Sequence, residues 1–278
     1  KSFKMVRESV ADLRGEISGV LRLGVIPTIA PYLLHRFVPG FARDYPNVEL
    51  QIRELMTADI IRALGRDMLD AAILAGGTSP DGIQEEELFN DRFYAYVSTG
   101  HPLFERSNIR IEDIDVRRLL LLSEGNCLRD QVLELCQAQK GVQRQYSFES
   151  GSLETLIRIV DNSSNMMTIV PEMVADFIDE SHKPQLKTLA KGATSRKITI
   201  AVRRTYVKRS LVAALKESIL AACRPAGYLL KLPPRGDSRF AVSVPLRSGA
   251  KGGSVSCPVS YLSTFYYLYP LETKRYDL

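Results

Sequence analysis

Two thiols nine residues apart are the part of this sequence best equipped for chemistry. Cys127 and Cys136 are two of four cysteines in 278 residues. They bracket the segment Gly125-Asn126-Cys127-Leu128-Arg129-Asp130-Gln131-Val132-Leu133-Glu134-Leu135-Cys136. Leu128, Val132 and Leu135 recur at helical spacing, so a helix is expected from about Cys127. Over nine residues a helix rises about 13.5 Å, and nine steps of about 100° leave the two side chains on opposite faces. A disulfide needs Cα atoms within about 7 Å of each other, so helix and disulfide exclude one another. The segment holds either two unrelated free thiols, each acting as a small hydrophobe, or a redox switch that unwinds on oxidation. A thiol at a helix N-terminus beside a cation is the more easily ionised nucleophile. Cys127 has the helix start and Arg129 close by, and a second cysteine in reach is the pattern of a redox sensor.

The elements around this segment alternate. Gly19 to Ile26 reads as a strand ended by Pro27, and a helix with Pro31 near its start follows to about Tyr45. Val48–Arg53 alternates as a strand, Thr57–Arg66 is helical, and Leu69–Leu74 is a third strand. This order means a parallel sheet with crossover connections. The glycine-rich stretch 76–82 breaks the pattern, and a second unit starts near Leu88, with strands at Phe93–Val97 and Leu119–Leu122 before the cysteine helix. Ser152 is placed to cap a helix to Val160. A strand over Met167–Val170, stopped by Pro171, leads into a short helix to about Ile178. Arg196–Val202 is a strand that can return to the first unit, and a last helix covers about Lys208 to Cys223. The expected fold is α/β, with a second lobe inserted into the first. Thr28 and Thr57 follow the first two strands, where open parallel sheets bind ligands; an N-cap role would place them equally well.

Composition narrows the function. With 45% hydrophobic and 25% charged residues, the chain is ordinary for a globular protein. No apolar run is long enough to span a membrane, and the first residues lack the apolar core of a signal peptide. Four cysteines are no secreted disulfide framework, so a cytoplasmic location is expected. Residues 227–278 carry seven Lys or Arg against three Asp or Glu, most of the net charge of +5; the remaining body offers no basic face for nucleic acid. His35, His101 and His182 have no ligand spacing with a cysteine, which speaks against a metal, and no cofactor is expected. Residues 1–17 have the spacing of a helix end, so the chain reads as part of something longer. The tail 227–278 is loop- or linker-like and stays unassigned.

Four stretches in this order carry a resemblance: Gly24-Val25-Ile26-Pro27-Thr28 with Pro31-Tyr32-Leu33-Leu34, Leu69 to Leu74, Gly125 to Gln131, and Ser152 to Leu156. Over about residues 1–226 the chain resembles the regulatory domains of the peroxide-sensing LysR-type transcriptional regulators. The resemblance implies two Rossmann-like lobes like those of periplasmic binding proteins: residues 18–88 with 196–226, and residues 89–195 holding the redox segment 125–136. It implies that residues 1–17 end a linker helix from a DNA-binding domain. By the same likeness Cys127 is the peroxidatic and Cys136 the resolving cysteine. Thr28, Thr57, Asp130 and Arg196 match positions that bind or polarise hydrogen peroxide and stabilise the thiolate. Asn126 stands where many relatives have histidine, and Ser163-Ser164-Asn165 replaces a glycine-rich turn. The implied partners are hydrogen peroxide, a homodimer or tetramer, promoter DNA and RNA polymerase through the full-length protein, and a thiol reductant. Two alternatives share these residues: a thiol peroxidase, and a metabolite-binding effector domain with incidental cysteines.

Overall fold

The structure, a computed structural model, describes residues 17–77, 80–136, 151–190, 195–206 and 208–223. The helical pattern expected for residues 1–17 lies outside them but for its last residue, and the tail 227–278 lies outside them entirely. Strand β1 (Gly19–Val25) pairs in parallel with β2 (Val48–Glu54) and β3 (Ala71–Ala75). Helices α1 (Ala30–Asp44) and α2 (Thr57–Gly65) are the crossovers, as the strand–helix alternation requires. Leu21, Leu23 and Val25 of β1 are buried with Phe37 and Phe41 of α1 and Ile60 and Leu64 of α2. Each such side chain stabilises the fold by about 1.5–3 kcal/mol. β2 forms one end of the sheet order and keeps Glu49, Gln51, Arg53 and Glu54 exposed, a charged border that discourages strand addition.

The strand that organises the rest is longer than its sequence suggests. β4 runs from Ile83 to Val97, whereas alternation marks only 93–97. Its first part, Ile83–Arg92, pairs antiparallel with β9 (Ser195–Arg203), which in turn pairs with β3. Its second part, Phe93–Val97, pairs antiparallel with β7 (Met167–Pro171) and, over Tyr94–Tyr96, with β8 (Leu186–Ala190). β5 (Asn108–Arg110) adds to β8, and β6 (Leu119–Leu120) to β7. One continuous strand thus joins two half-sheets, and the sheet order is β2-β1-β3-β9-β4-β7-β6.

Helices cover the second half-sheet. α3 spans Cys127–Leu135 and α4 Leu153–Asp161. The Ser152 hydroxyl accepts from Thr155 N at 3.4 Å, so the expected cap is present. Ser163, in the serine-rich turn, donates to Val160 O and helps close the C-terminus of α4. The one-turn helix α5 (Glu172–Ala175) follows β7, and α6 (Arg209–Cys223) packs on α1. Among the described residues no helix is long and apolar enough to cross a membrane.

Candidate redox site

The cysteine helix begins where the spacing puts it. Gly125, at φ +87°, makes the turn that feeds Asn126 into the N-cap position, a backbone region that favours glycine. Cys127 is the first helical residue and Cys136 the C-cap, its N–H bonded to Val132 O at 3.0 Å. Both thiols are free and half-buried, at the two ends of a nine-residue helix. Burial pushes the Cys136 thiol up to about 11. The same cause, with the Arg36 and Asp91 charges as lesser influences, puts Cys223 at about 11. Leu128 and Val132 face the core, while Asp130 is exposed in the first turn, where a carboxylate suits the helix dipole.

Arg129 binds back into the loop that precedes α3. Its Nη1 donates to Leu122 O at 2.9 Å and its Nη2 faces Glu124 at 3.5 Å, because the loop before α3 leaves that carbonyl in need of a donor. Asn126, only 2% exposed, does not cap the helix with its side chain; its Nδ2 donates to Ser123 O and Oγ.

A second cluster forms where β4 passes between the half-sheets. Asp91 and Arg196 are directly opposite in the β4–β9 register, and both side chains are fully buried. Arg196 Nε and Nη2 reach Asp91 Oδ2 at 3.0 and 2.9 Å, while its Nη1 reaches Thr28 Oγ1 at 3.0 Å and its Nη2 also reaches Thr28 O at 3.2 Å. Asp91 Oδ1 accepts from Met173 N of α5 at 3.2 Å. Burial raises the Asp91 carboxyl and the adjacent Arg196 pulls it back. Tyr32 of α1, pushed up to about 12 chiefly by burial, also feels Glu154 raising it and Arg196 lowering it.

The two threonines are not caps. Ile29 holds the N-cap position of α1 and Met56 that of α2. Thr28 instead accepts from Arg196, and Thr57 Oγ1 is a buried oxygen without a hydrogen-bond partner. Gln131 Oε1, one turn along α3 from Cys127, is likewise buried and unpartnered. Such groups are rare, because leaving one unpaired costs about 1–3 kcal/mol. Thr28 and Arg196 are therefore brought together; among the described residues no hydrogen bond joins Cys127 to Thr28, Thr57, Asp130 or Arg196. Asp91 and Gln131 escaped sequence reasoning. Asp91 sits in a stretch without strand alternation, and Gln131 is a polar residue in an amphipathic helix. No group of three His, Cys, Asp or Glu side chains suited to a metal occurs among the described residues.

The α/β fold is that of a known domain family: the chain belongs to the LysR substrate-binding domain family, whose model matches residues 14–224. Within that family it is similar to the hydrogen peroxide-inducible genes activator of Dickeya chrysanthemi, at 32% identity over 173 residues, 62% of this chain and 56% of the relative. It is 30% identical over 173 residues, again 62% of this chain and 56% of the relative, to the DNA-binding transcriptional dual regulator OxyR of Escherichia coli K12. The reduced form of the OxyR regulatory domain from Pseudomonas aeruginosa superposes with TM-score 0.65 at 29% identity, covering 74% of this chain and 98% of that one. The chain spans little more than half the length of these two curated relatives.

Proposed function

We propose that the chain is the peroxide-sensing regulatory domain of a LysR-type transcriptional regulator, switched by a reversible Cys127–Cys136 disulfide. The observation that carries this reading is the nine-residue helix with a half-exposed thiol at its N-terminus and a burial-suppressed thiol at its C-cap. In the proposed step Cys127 thiolate attacks one oxygen of hydrogen peroxide. The O–O bond breaks, sulfur is oxidised to sulfenic acid, and the second oxygen leaves as hydroxide, which becomes water by taking up the equivalent of the proton that the Cys127 thiol released on ionising. Cys136 then attacks the sulfenic sulfur, an S–S bond forms, and a second water departs. Thr28, Thr57, Asn126, Asp130 and Arg196 are assigned to binding or polarising the peroxide, and the unpartnered Gln131 amide oxygen joins them.

The disulfide cannot form across an intact α3, so oxidation unwinds it and repacks Leu128 and Val132. Lobe I is read as residues 18–88 with 196–226 and lobe II as 89–195. The changed surface of lobe II would alter a homodimer or tetramer, and the full-length protein would carry the signal to promoter DNA and RNA polymerase in the cytoplasm. A thiol reductant resets the switch. The domain acts stoichiometrically; steady turnover of peroxide with a reductant would instead mark a thiol peroxidase. Treating the reduced domain with one equivalent of peroxide should give the 127–136 disulfide in a peptide map, and Cys136→Ser should halt at sulfenic acid on Cys127. Intact Cys127 after that treatment would refute the reading.

A further inference from the structure

We propose that Asp91 is a positioning residue of this site, holding the Arg196 guanidinium so that the Thr28 hydroxyl is left with its proton free to donate toward the departing peroxide oxygen. The inference rests on the reading that Thr28 and Arg196 serve Cys127. A hydroxyl has one proton and two lone pairs, and an arginine has only donors. Since Arg196 Nη1 lies 3.0 Å from Thr28 Oγ1, Thr28 must accept there. Its own proton meets no hydrogen-bond acceptor among the described residues. A hydroxyl that accepts from a cation is polarised into a stronger donor, which is what a leaving hydroxide needs.

That arrangement depends on where the fork points, and Asp91 decides it. Its Oδ2 takes Nε and Nη2 together, which leaves Nη1 aimed at the threonine. Its Oδ1 is tied to Met173 N, so the carboxylate takes its own position from the second half-sheet. A buried ion pair is a poor way to gain stability, because apolar side chains of like volume would fill the space as well. Orienting the fork is a use that apolar side chains cannot replace.

The test compares two reagents on the reduced 278-residue chain in a Cys136→Ser background. Hydrogen peroxide needs help for its leaving oxygen; the same thiolate attacks the methylene carbon of iodoacetamide, forming the C–S bond as iodide leaves unaided. Asp91→Asn keeps the shape and the acceptor for Met173 N but frees the fork. It should slow Cys127 oxidation by peroxide about tenfold while alkylation changes less than about twofold, the effect expected for one charge-assisted hydrogen bond. Combined with Thr28→Val it should slow peroxide no further than Thr28→Val alone, since both act through one hydroxyl. Should Asp91→Asn fail to fold, Asp91→Glu, which keeps the charge and shifts the fork, carries the same selective expectation. Equal losses with both reagents, or an unchanged peroxide rate in a folded Asp91 variant while Thr28→Val and Arg196→Lys are slow, would overturn the role of Asp91. Unchanged peroxide rates in Thr28→Val and Arg196→Lys would instead overturn the site assignment beneath it.

Discussion

The Asp91–Arg196–Thr28 cluster and the Cys127–Cys136 helix treat their polar groups in opposite ways. In the cluster every guanidinium nitrogen of Arg196 donates, the carboxylate accepts through both oxygens, and both charged side chains are completely buried on paired antiparallel strands. In the helix only Leu128 and Val132 are buried, Gln131 keeps an unpartnered oxygen, and both ends carry free thiols. A region with few buried apolar contacts opens at a small fraction of the global unfolding cost. The contrast assigns the parts: strands hold the polarising groups still, and a short, lightly anchored helix is free to change.

Arg196→Ala breaks the first side of this contrast and has the largest expected effect. Removing the guanidinium strands the Asp91 carboxylate in the core, which costs about 3–5 kcal/mol. Denaturant unfolding should show that loss as a lower midpoint. A loss under about 1 kcal/mol would mean the pocket admits water to Asp91, and the cluster would not be the rigid half. Any peroxide kinetics on this variant must accordingly be expressed per folded molecule.

Leu128→Ala probes the other side. Leu128 is a buried residue of α3, and truncating a buried leucine costs about 2–5 kcal/mol. If oxidation releases this packing, the loss falls on the reduced form alone and the disulfide becomes easier to form. The potential of the Cys127–Cys136 couple should then fall by at least about 40 mV, at about 30 mV per 1.4 kcal/mol. An unchanged potential would show that Leu128 is equally buried in both forms and that α3 does not unwind around it.

How far these roles were legible in the sequence follows the same divide. The helix was legible, with its start expected at about Cys127, because the period of Leu128, Val132 and Leu135 is a local signal. β1, β2 and β3 were legible from alternation and breakers. β4 was half missed: Gln84-Glu85-Glu86-Glu87 looks like a solvated run, yet it pairs with β9, and Glu86 and Glu87 find Lys216 and Lys197 at 2.5 and 3.6 Å. Those partners lie more than a hundred residues away, and no local pattern announces them. The same distance hid Asp91. Thr28 and Thr57 were found as hydroxyls at strand ends, but only the fold shows that Arg196 binds one and that the other has no hydrogen-bond partner among the described residues.

Acid stability should belong to neither region, which gives a way to perturb the fold while leaving the contrast intact. Asp70 is partly buried, which by itself would raise its carboxyl; three hydrogen bonds from Arg22 and the Lys208 ammonium at 3.1 Å outweigh this and hold it below the usual range. The folded state therefore binds this proton less readily than the unfolded chain, whose aspartates titrate near about 3.9. The contribution is complete above that value and is lost as pH falls through the folded value. Melting temperature should drop on acidification below about pH 4, and Asp70→Asn should flatten that limb while leaving the Cys127–Cys136 potential unchanged. An equally steep acid limb in the variant would assign the effect to other carboxylates.

The smallest expected stability change is the most informative about chemistry. Thr57 Oγ1 is buried with no partner, so the fold gains nothing from it and bears its desolvation. Valine has nearly the same shape, and its helix propensity is close to that of threonine. Thr57→Val should therefore leave stability unchanged or raise it by up to about 1 kcal/mol, because the unpaired group is removed rather than created. Thr28→Val should do the reverse, since it takes the acceptor away from a buried arginine and costs about 1.5–3 kcal/mol. Both substitutions should slow oxidation of Cys127 by peroxide. A hydroxyl that costs stability and speeds the reaction is kept for the ligand, and measuring melting temperature and peroxide rate on the same samples separates that from packing. If Thr57→Val lowers the melting temperature and leaves the rate alone, Thr57 is a structural residue and the polarising groups end at Thr28.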